Sequence, residues 1–298
     1  IITIRCRAHD PLADGTSVFG QFITTHGGVD TSTVQYGGRR LGRRIDVGQR
    51  LDFGFHVGRV DPLEIPLAQD KQPARSAFRA TPLLRRPFSI HRMVPDASGC
   101  VKLEILYKVV GEGTDIMARM PVGAMVDILG PLGKGFIVRG HYRRIYLAAG
   151  GIGAAPMVFL LETLRQQPEP CQCRVFLGGR SRGDLLCRER FEQLADQVDC
   201  TTDDGSEGAH CFLTSPLEAA VRRQPPDVIM ACGPMDMLTC VAGIADRLDV
   251  ACQLSIESVM ACGMGACLGC AVPAAGDGSA YHHVCKDGPV FDAQLLKL

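Results

Sequence analysis

Two hydrophobic periodicities divide the chain. Up to about residue 141, apolar and polar residues alternate over short stretches broken by glycine and proline, with little of the three-to-four spacing that marks helices. Val101-Lys102-Leu103-Glu104-Ile105-Leu106-Tyr107 is the clearest strand, and the half as a whole predicts a small antiparallel β-barrel. From Arg143 the pattern becomes apolar strand, glycine turn, helix, repeated. Ile145-Tyr146-Leu147-Ala148-Ala149 runs into a glycine turn and an apolar helix from Pro156 to Leu164. Arg174-Val175-Phe176-Leu177 is a second strand and Leu185 to Gln197 a second helix, while Val228-Ile229-Met230-Ala231 precedes a helix from Met235 to Leu248. Strands alternating with helices predict a parallel α/β sheet. The last forty or so residues follow neither period and hold too little apolar material to form a core alone. The expected organisation is a barrel over 1–141, with an insertion at about 26–84, an α/β unit over 142–254 and a small cysteine-bearing unit over 255–298.

Composition narrows the function. In 298 residues, 46% are apolar, enough for two cores and an appendage. Lys plus Arg equals Asp plus Glu at 32 each, so no overall field exists to hold a nucleic acid backbone or an anionic membrane. The uncharged runs Ile145 to Leu161 and Ser258 to Gly276 are interrupted by Gly, Pro or Cys, and no membrane-spanning helix is expected. Fourteen cysteines could mean a disulfide scaffold, but the chain is large, shows no secretory signal at its start and gathers its tightest cysteine spacing in one loop. A reducing cytoplasm is the expected location. Residue 1 is Ile, and nothing is inferred from the terminus.

That loop carries the sharpest chemistry. Cys262, Cys267, Cys270 and Cys285 stand at the spacing C-x4-C-x2-C-x14-C, with Gly263, Gly265 and Gly269 among small neighbours. This is the plant-type spacing of a [2Fe-2S] cluster, whose irons take four thiolates, three of them from one tight loop. A structural zinc site more often shows two short Cys pairs, and here Cys267-Leu268-Gly269-Cys270 is the only C-x2-C. A Rieske centre would need two histidines such as His282 and His283, and a thioredoxin-like pair would leave Cys262 and Cys285 unexplained.

Elsewhere the signals are weaker taken singly. Gly150-Gly151-Ile152-Gly153-Ala154-Ala155-Pro156 joins a strand to a helix, where N–H groups and the helix dipole can hold a pyrophosphate. The same turn could also be a tight connection and nothing more. Two further strands end at Gly178-Gly179-Arg180-Ser181 and Cys232-Gly233-Pro234, at the carboxyl edge where α/β sheets bind ligands. In the barrel half, Arg86-Pro87-Phe88-Ser89 sets a permanent cation and a hydroxyl beside a stiffening proline. Gly111-Glu112-Gly113-Thr114 could bring backbone N–H groups to a second phosphate, though each of these two is also a common surface turn.

The order Arg-Pro-Phe-Ser, Gly-x-Gly-Thr, Gly-Gly-Ile-Gly-x-x-Pro, Cys-Gly-Pro-Met and the four-cysteine loop resembles the ferredoxin reductase superfamily. Within it the chain is similar to the electron transfer subunits of two-subunit dihydroorotate dehydrogenases. The stretches that carry this are Leu129-Gly130-Pro131-Leu132-Gly133-Lys134-Gly135-Phe136, Asp203-Asp204-Gly205-Ser206, Met260-Ala261-Cys262-Gly263 and Cys285-Lys286-Asp287-Gly288-Pro289-Val290-Phe291. The resemblance covers roughly residues 84 to 296. It implies FAD on the barrel, contacted by Arg86, Pro87, Phe88 and Ser89, with Arg86 on the pyrophosphate and Ser89 near the isoalloxazine. Leu106, Tyr107 and Lys108 would line the flavin or its ribityl chain, and Gly113 and Thr114 would bind phosphate. Gly150, Gly151 and Gly153 would face NAD, and Cys232 would lie near the hydride-transfer position, unless it is only a small buried residue ending a strand. The implied partner is an FMN-containing catalytic subunit that oxidises dihydroorotate, two copies of each making a heterotetramer in pyrimidine synthesis, and no general base is expected on this chain.

Two features depart from the family pattern. More than sixty residues separate Gly20-Gln21-Phe22 from Arg86, and His26 to Arg92 holds twelve basic against six acidic residues, a basic loop or a surface for an acidic partner. No Asp or Glu ends the second α/β strand to take a ribose 2′-hydroxyl, whereas Arg180 and Arg182 could accept the 2′-phosphate of NADP. Two other functions fit the motifs. One is a reductase subunit for ferredoxin, sulfide or a bifurcating flavoprotein, and the other a zinc-stabilised binding or sensor module.

Overall fold

The computed structural model describes residues 2–7, 35–36, 39–40, 55–58, 84–95, 100–122 and 126–298. The Gly20-Gln21-Phe22 turn and most of the basic 26–84 insertion lie outside the described residues.

The described N-terminal strands are β1 (Ile2–Arg7), β2 (Gln35–Tyr36), β3 (Arg39–Arg40), β4 (Phe55–Gly58), β5 (Arg86–Phe88), β6 (Arg92–Pro95), β7 (Cys100–Ile105) and β8 (Asp127–Leu129), with helix α1 (Glu112–Arg119) before β8. They form antiparallel three-stranded sheets in the orders β1-β7-β6 and β5-β4-β8, and a β2-β3 ribbon. The alternation of Leu103 and Ile105 with Lys102 and Glu104 points the apolar side chains of β7 into the core, where both are buried.

The C-terminal half follows the second period: β9 (Arg144–Gly150), α2 (Ala154–Arg165), β10 (Gln172–Gly179), α3 (Arg188–Leu194), β11 (Gln197–Thr202), β12 (Ala209–His210), α4 (Thr214–Arg223), β13 (Val228–Cys232), α5 (Met235–Arg247) and β14 (Ala251–Ser255). The cysteine-bearing tail adds β15 (Ala271–Pro273), β16 (Tyr281–His283), α6 (Val284–Asp287) and β17 (Val290–Asp292). One sheet in the order β12-β11-β10-β9-β13-β14-β17 spans this half, parallel except for β17. The strand order reverses between β9 and β13, the kind of switch point at whose carboxyl ends open α/β sheets bind ligands in a crevice.

Burial on both faces explains why β9 reads as a continuous apolar run. Ile145, Leu147 and Ala149 join a core with α2 and with Phe88, Ile90, Leu103 and Ile105 of the barrel half. Tyr146 and Ala148 face the opposite core, shared with Phe176, Leu217, Leu238 and the tail residues Cys270, Val284, Cys285 and Phe291. Helix α2 is apolar nearly all round because the sheet covers one side and the barrel half the other. Each such Leu or Phe contributes about 2–3 kcal/mol of burial.

Polar contacts fix the joints between these layers. Glu162 on α2 accepts from Arg92 of β6 at 2.9 Å and from Arg190 of α3 at 2.5 Å. His91 Nδ1 donates to the Ala155 carbonyl at 3.0 Å. The buried Gln253 amide takes the Ile137 N–H at 2.9 Å and donates to its carbonyl at 3.0 Å. Lys134 N donates to Gly288 O at 2.5 Å and its carbonyl accepts from Val290 N at 3.3 Å, so the 129–136 and 285–291 stretches meet along one seam.

Candidate functional site

The glycine turn after β9 lies at the crevice, and its glycines do different work. A Cβ on Gly150 would come within 2.6 Å of Met237 Sδ, and one on Gly153 would strike the Cys232 carbonyl. Gly150 lets the end of β9 lie close to the start of α5, and Gly153 lets the start of α2 lie close to the end of β13. Gly151 differs: its φ is +52° and a Cβ there meets nothing within 4 Å, so its surroundings are open. The turn thus offers backbone beside an open crevice at a helix start, which fits the pyrophosphate of a dinucleotide.

Cys232 ends β13, paired with Ala149 and Ser255 on either side. Only 3% of it is exposed. Burial and the charge of Glu257 push its thiol up to about 12, with a hydrogen bond to Ser255 partly offsetting them, so it stays a neutral thiol at physiological pH. Ser255 and Glu257 were not legible as neighbours of Cys232 because only the strand register brings them there.

On the barrel half, Arg86, Pro87 and Ser89 are half-buried and Phe88 is buried. Arg86 Nη1 donates to Leu84 O at 2.6 Å, leaving further donors on the guanidinium for an anion. Phe88 and Tyr107 meet edge to face at 5.9 Å between centroids, joining the two segments expected to line a flavin. Leu106 and Tyr107 are half-buried and Lys108 is exposed. Gly113 and Thr114 are not in a free loop but in the first turn of α1. The Thr114 hydroxyl accepts from Val110 N (3.0 Å) and Gly111 N (3.2 Å) and donates to Gly111 O (2.9 Å), a capping role that commits the hydroxyl locally. An arginine with spare donors and an aromatic pair on adjoining segments are groups that could hold a flavin dinucleotide.

The four cysteines of the tail stand as two pairs. Cys270 and Cys285 approach to 3.3 Å between sulfurs, and Cys262 Sγ accepts from the N–H of Cys267 at 3.4 Å. No group of three or more His, Cys, Asp or Glu side chains among the described residues converges on a single-ion site. Each iron of a [2Fe-2S] cluster takes two thiolates, and two cysteine pairs fit that need. The loop wraps tightly because Gly263 and Gly265 take φ near +71° and +79°. That wrap aims N–H groups at sulfur: Met264 and Ala266 also donate to Cys262, and Gly265 donates to Cys285 at 3.1 Å. Burial raises the Cys262 thiol, but the N–H groups of Met264, Cys267 and Ala266 outweigh it and bring it down to about 7. Burial and the neighbouring Cys270 push Cys285 the other way. Val259, Met264 and Leu268 stand exposed on the same loop as Cys267, Val259 at 82% and Leu268 at 59%.

Comparison with known proteins adds independent findings. Residues 257–297 match the iron-sulfur cluster binding domain of dihydroorotate dehydrogenase B, and residues 147–243 match the oxidoreductase NAD-binding domain. Over 211 residues the chain is 39% identical to the dihydroorotate dehydrogenase B (NAD(+)) electron transfer subunit of Desulforamulus reducens, covering 70% of this chain and 79% of that one. It is 37% identical over 213 residues to the same subunit of Caldanaerobacter subterraneus subsp. tengcongensis, covering 71% and 80%. The fold resembles that of the NADH-dependent reduced ferredoxin-NADP oxidoreductase studied for flavin-based electron bifurcation. The TM-score is 0.61 at 24% identity, covering 72% of this chain and 74% of that one.

Proposed function

The chain belongs to the family of electron transfer subunits of NAD-dependent dihydroorotate dehydrogenase B, and on that premise we propose that it carries electrons from an FMN-containing catalytic subunit to NAD in pyrimidine biosynthesis. The observation that carries this reading is the paired arrangement of Cys262 with Cys267 and of Cys270 with Cys285, in a segment whose last strand joins the nucleotide-type sheet. A cluster on these thiols takes one electron at a time, and FAD converts single electrons into the pair that a nicotinamide carries as hydride.

The chain's own residues hold and insulate these groups. Arg86 offers a permanent cation to the flavin pyrophosphate, with Ser89 and Tyr107 beside the ring system and the start of α1 toward the second phosphate. Gly151 leaves the start of α2 open for the nicotinamide nucleotide. Cys232 closes the crevice floor as a neutral group, placing no negative charge where hydride is transferred. N–H groups of 264–267 neutralise thiolate charge and raise the readiness of the loop to accept an electron. Val259, Met264 and Leu268 give the partner an apolar landing beside Cys267, and the assembly holds two copies of each subunit. The location is the cytoplasm, whose reducing poise suits a chain with twelve free cysteines among the described residues. No helix among the described residues is long and apolar enough to cross a membrane.

The test is anaerobic reconstitution of the full chain with the purified catalytic subunit. Dihydroorotate should drive NADH formation only when both are present. An equal rate from the catalytic subunit alone, or delivery to ferredoxin with none to NAD, would remove this assignment.

A further inference from the structure

Which nucleotide the sheet edge accepts is written in the turn that follows β11. In open α/β sheets the adenosine ribose lies over the end of the strand after the glycine turn's helix. Here that strand is β10, which ends Gly178-Gly179-Arg180 without a carboxylate. The carboxylates come instead from the neighbouring strand. Gly178 pairs with both Gly150 and Thr201, so the three strand ends lie side by side. Asp203 N donates to Gly179 O and Asp204 N to Arg180 O, each at 3.1 Å, which fastens the acidic turn to the end of β10.

Arg180, at the end of β10, is exposed and has no ion pair among the described residues, whereas the next two arginines of this edge lie against one carboxylate. Arg182 Nε lies 3.7 Å from Glu207 Oε2, and Arg188 Nη1 lies 2.8 Å from Glu207 Oε1. The Glu207 backbone is held in turn by the buried Thr202, whose hydroxyl donates to Glu207 O at 2.7 Å and accepts from Glu207 N at 3.1 Å. Ser206 ties the turn together, accepting from Arg182 N at 2.8 Å and donating to Asp204 Oδ1 at 2.6 Å. The hydrogen bond from Arg188 holds Glu207, and that from Ser206 holds Asp204, below the ordinary carboxylate range, so both are charged at neutral pH. Two of the three cations at this edge therefore share one carboxylate, with a second negative charge beside them.

We propose that Glu207 is the residue that makes this edge accept a dinucleotide with a free 2′-hydroxyl and reject one bearing a 2′-phosphate, by holding Arg182 and Arg188 and, with Asp204, opposing the added dianion. This rests on the nucleotide reading above.

The experiment is calorimetric titration of the full, cofactor-loaded chain with 5′-AMP and with 2′,5′-ADP, alongside kcat/KM for NADH and NADPH with an artificial acceptor. The native chain should prefer 5′-AMP by about tenfold or more, and Glu207→Gln should shift that ratio about tenfold toward 2′,5′-ADP. Adding Arg182→Ala to Glu207→Gln should take the gain back. An unchanged ratio in Glu207→Gln, in a chain with native thermal unfolding and FAD content, overturns the proposal. If Glu207→Gln fails to fold, Asp204→Asn takes its place, with a smaller shift expected in the same direction and no shift overturning it. A native chain that binds neither fragment and does not oxidise NADH would instead overturn the nucleotide reading.

Discussion

The crevice edge of the sheet and the cysteine loop of the tail are both built from glycine and cysteine, yet they are held in opposite ways. At the crevice, Gly150 and Gly153 sit where any side chain would collide with Met237 or the Cys232 carbonyl, and the strands on either side are buried on both faces. The protein's own packing shapes that site. In the loop, residues 257–270 contain neither helix nor strand, and much of the order comes from N–H groups donating to sulfur. Its anchors are at the ends, where Cys270 and Cys285 enter the core and β17 pairs with β14. On the proposed reading the nucleotide site is thus a property of the fold, whereas the thiol site would be completed by what it binds, because metal binding supplies free energy that the polypeptide lacks.

The strongest challenge to that contrast is Cys267→Ala. Losing one of four thiolates should remove iron and sulfide and cut dihydroorotate-to-NAD transfer by more than the roughly hundredfold that loss of an outer-sphere partner costs a metal site. FAD content should be unchanged, and its simultaneous loss would show that the two regions are not independent. Gly153→Val probes the other side. Its side chain meets the Cys232 backbone, so urea unfolding should show a loss of about 2–3 kcal/mol and weaker NADH binding, while iron content holds. Native stability in this variant would mean that packing does not shape the crevice. Arg86→Ala should weaken FAD affinity about ten- to hundredfold, the value of one or two charge-assisted hydrogen bonds, read as flavin per chain after dialysis. Unchanged flavin content would take Arg86 out of the site.

The smallest effect concerns the joint between the two halves. Burial lowers the His91 pKa below its usual value, against the raising effect of the Ala155 carbonyl. The unfolded chain therefore takes up this proton near pH 6.5 while the folded chain resists it. More protons are then bound in the unfolded state, and stability should fall as pH drops through about 6.5, by at most about 1.4 kcal/mol per pH unit, and be flat above it. Thermal unfolding of the native chain and of His91→Gln across that range should converge at low pH. Parallel curves would assign the joint to Arg92 and Glu162 instead.

Strands buried on both faces were legible to within a residue or two: β9, β10 and β13 fall where apolar runs predict them. The second helix is shorter than its pattern suggests. Arg182–Asp184 form a tight 3-10 turn, Cys187 takes a left-handed φ of 60°, and Gln197 already belongs to β11. The short helix that contains Gly113 and Thr114 was not predicted by the alternating pattern around it; the Thr114 hydroxyl takes the N–H groups of Val110 and Gly111 at its start. Register-dependent contacts had no local signal. Ser255 beside Cys232, the return of β17 to β14 and the grip of Glu207 on Arg182 each join residues that are distant in sequence or in a separate turn. The reading that Arg180 and Arg182 could accept a 2′-phosphate was made from β10 alone; the turn beside it sets the Glu207 carboxylate 3.7 Å from Arg182.

The relay between thiol loop and nucleotide edge is tested most directly by the anaerobic absorbance spectrum of the purified full chain before and after NADH, with iron, sulfide and zinc measured on the same sample. The account predicts flavin and cluster bands that both bleach on NADH, with about two irons per chain. A colourless, zinc-containing chain that ignores NADH even after reconstitution with FAD, iron and sulfide would contradict it.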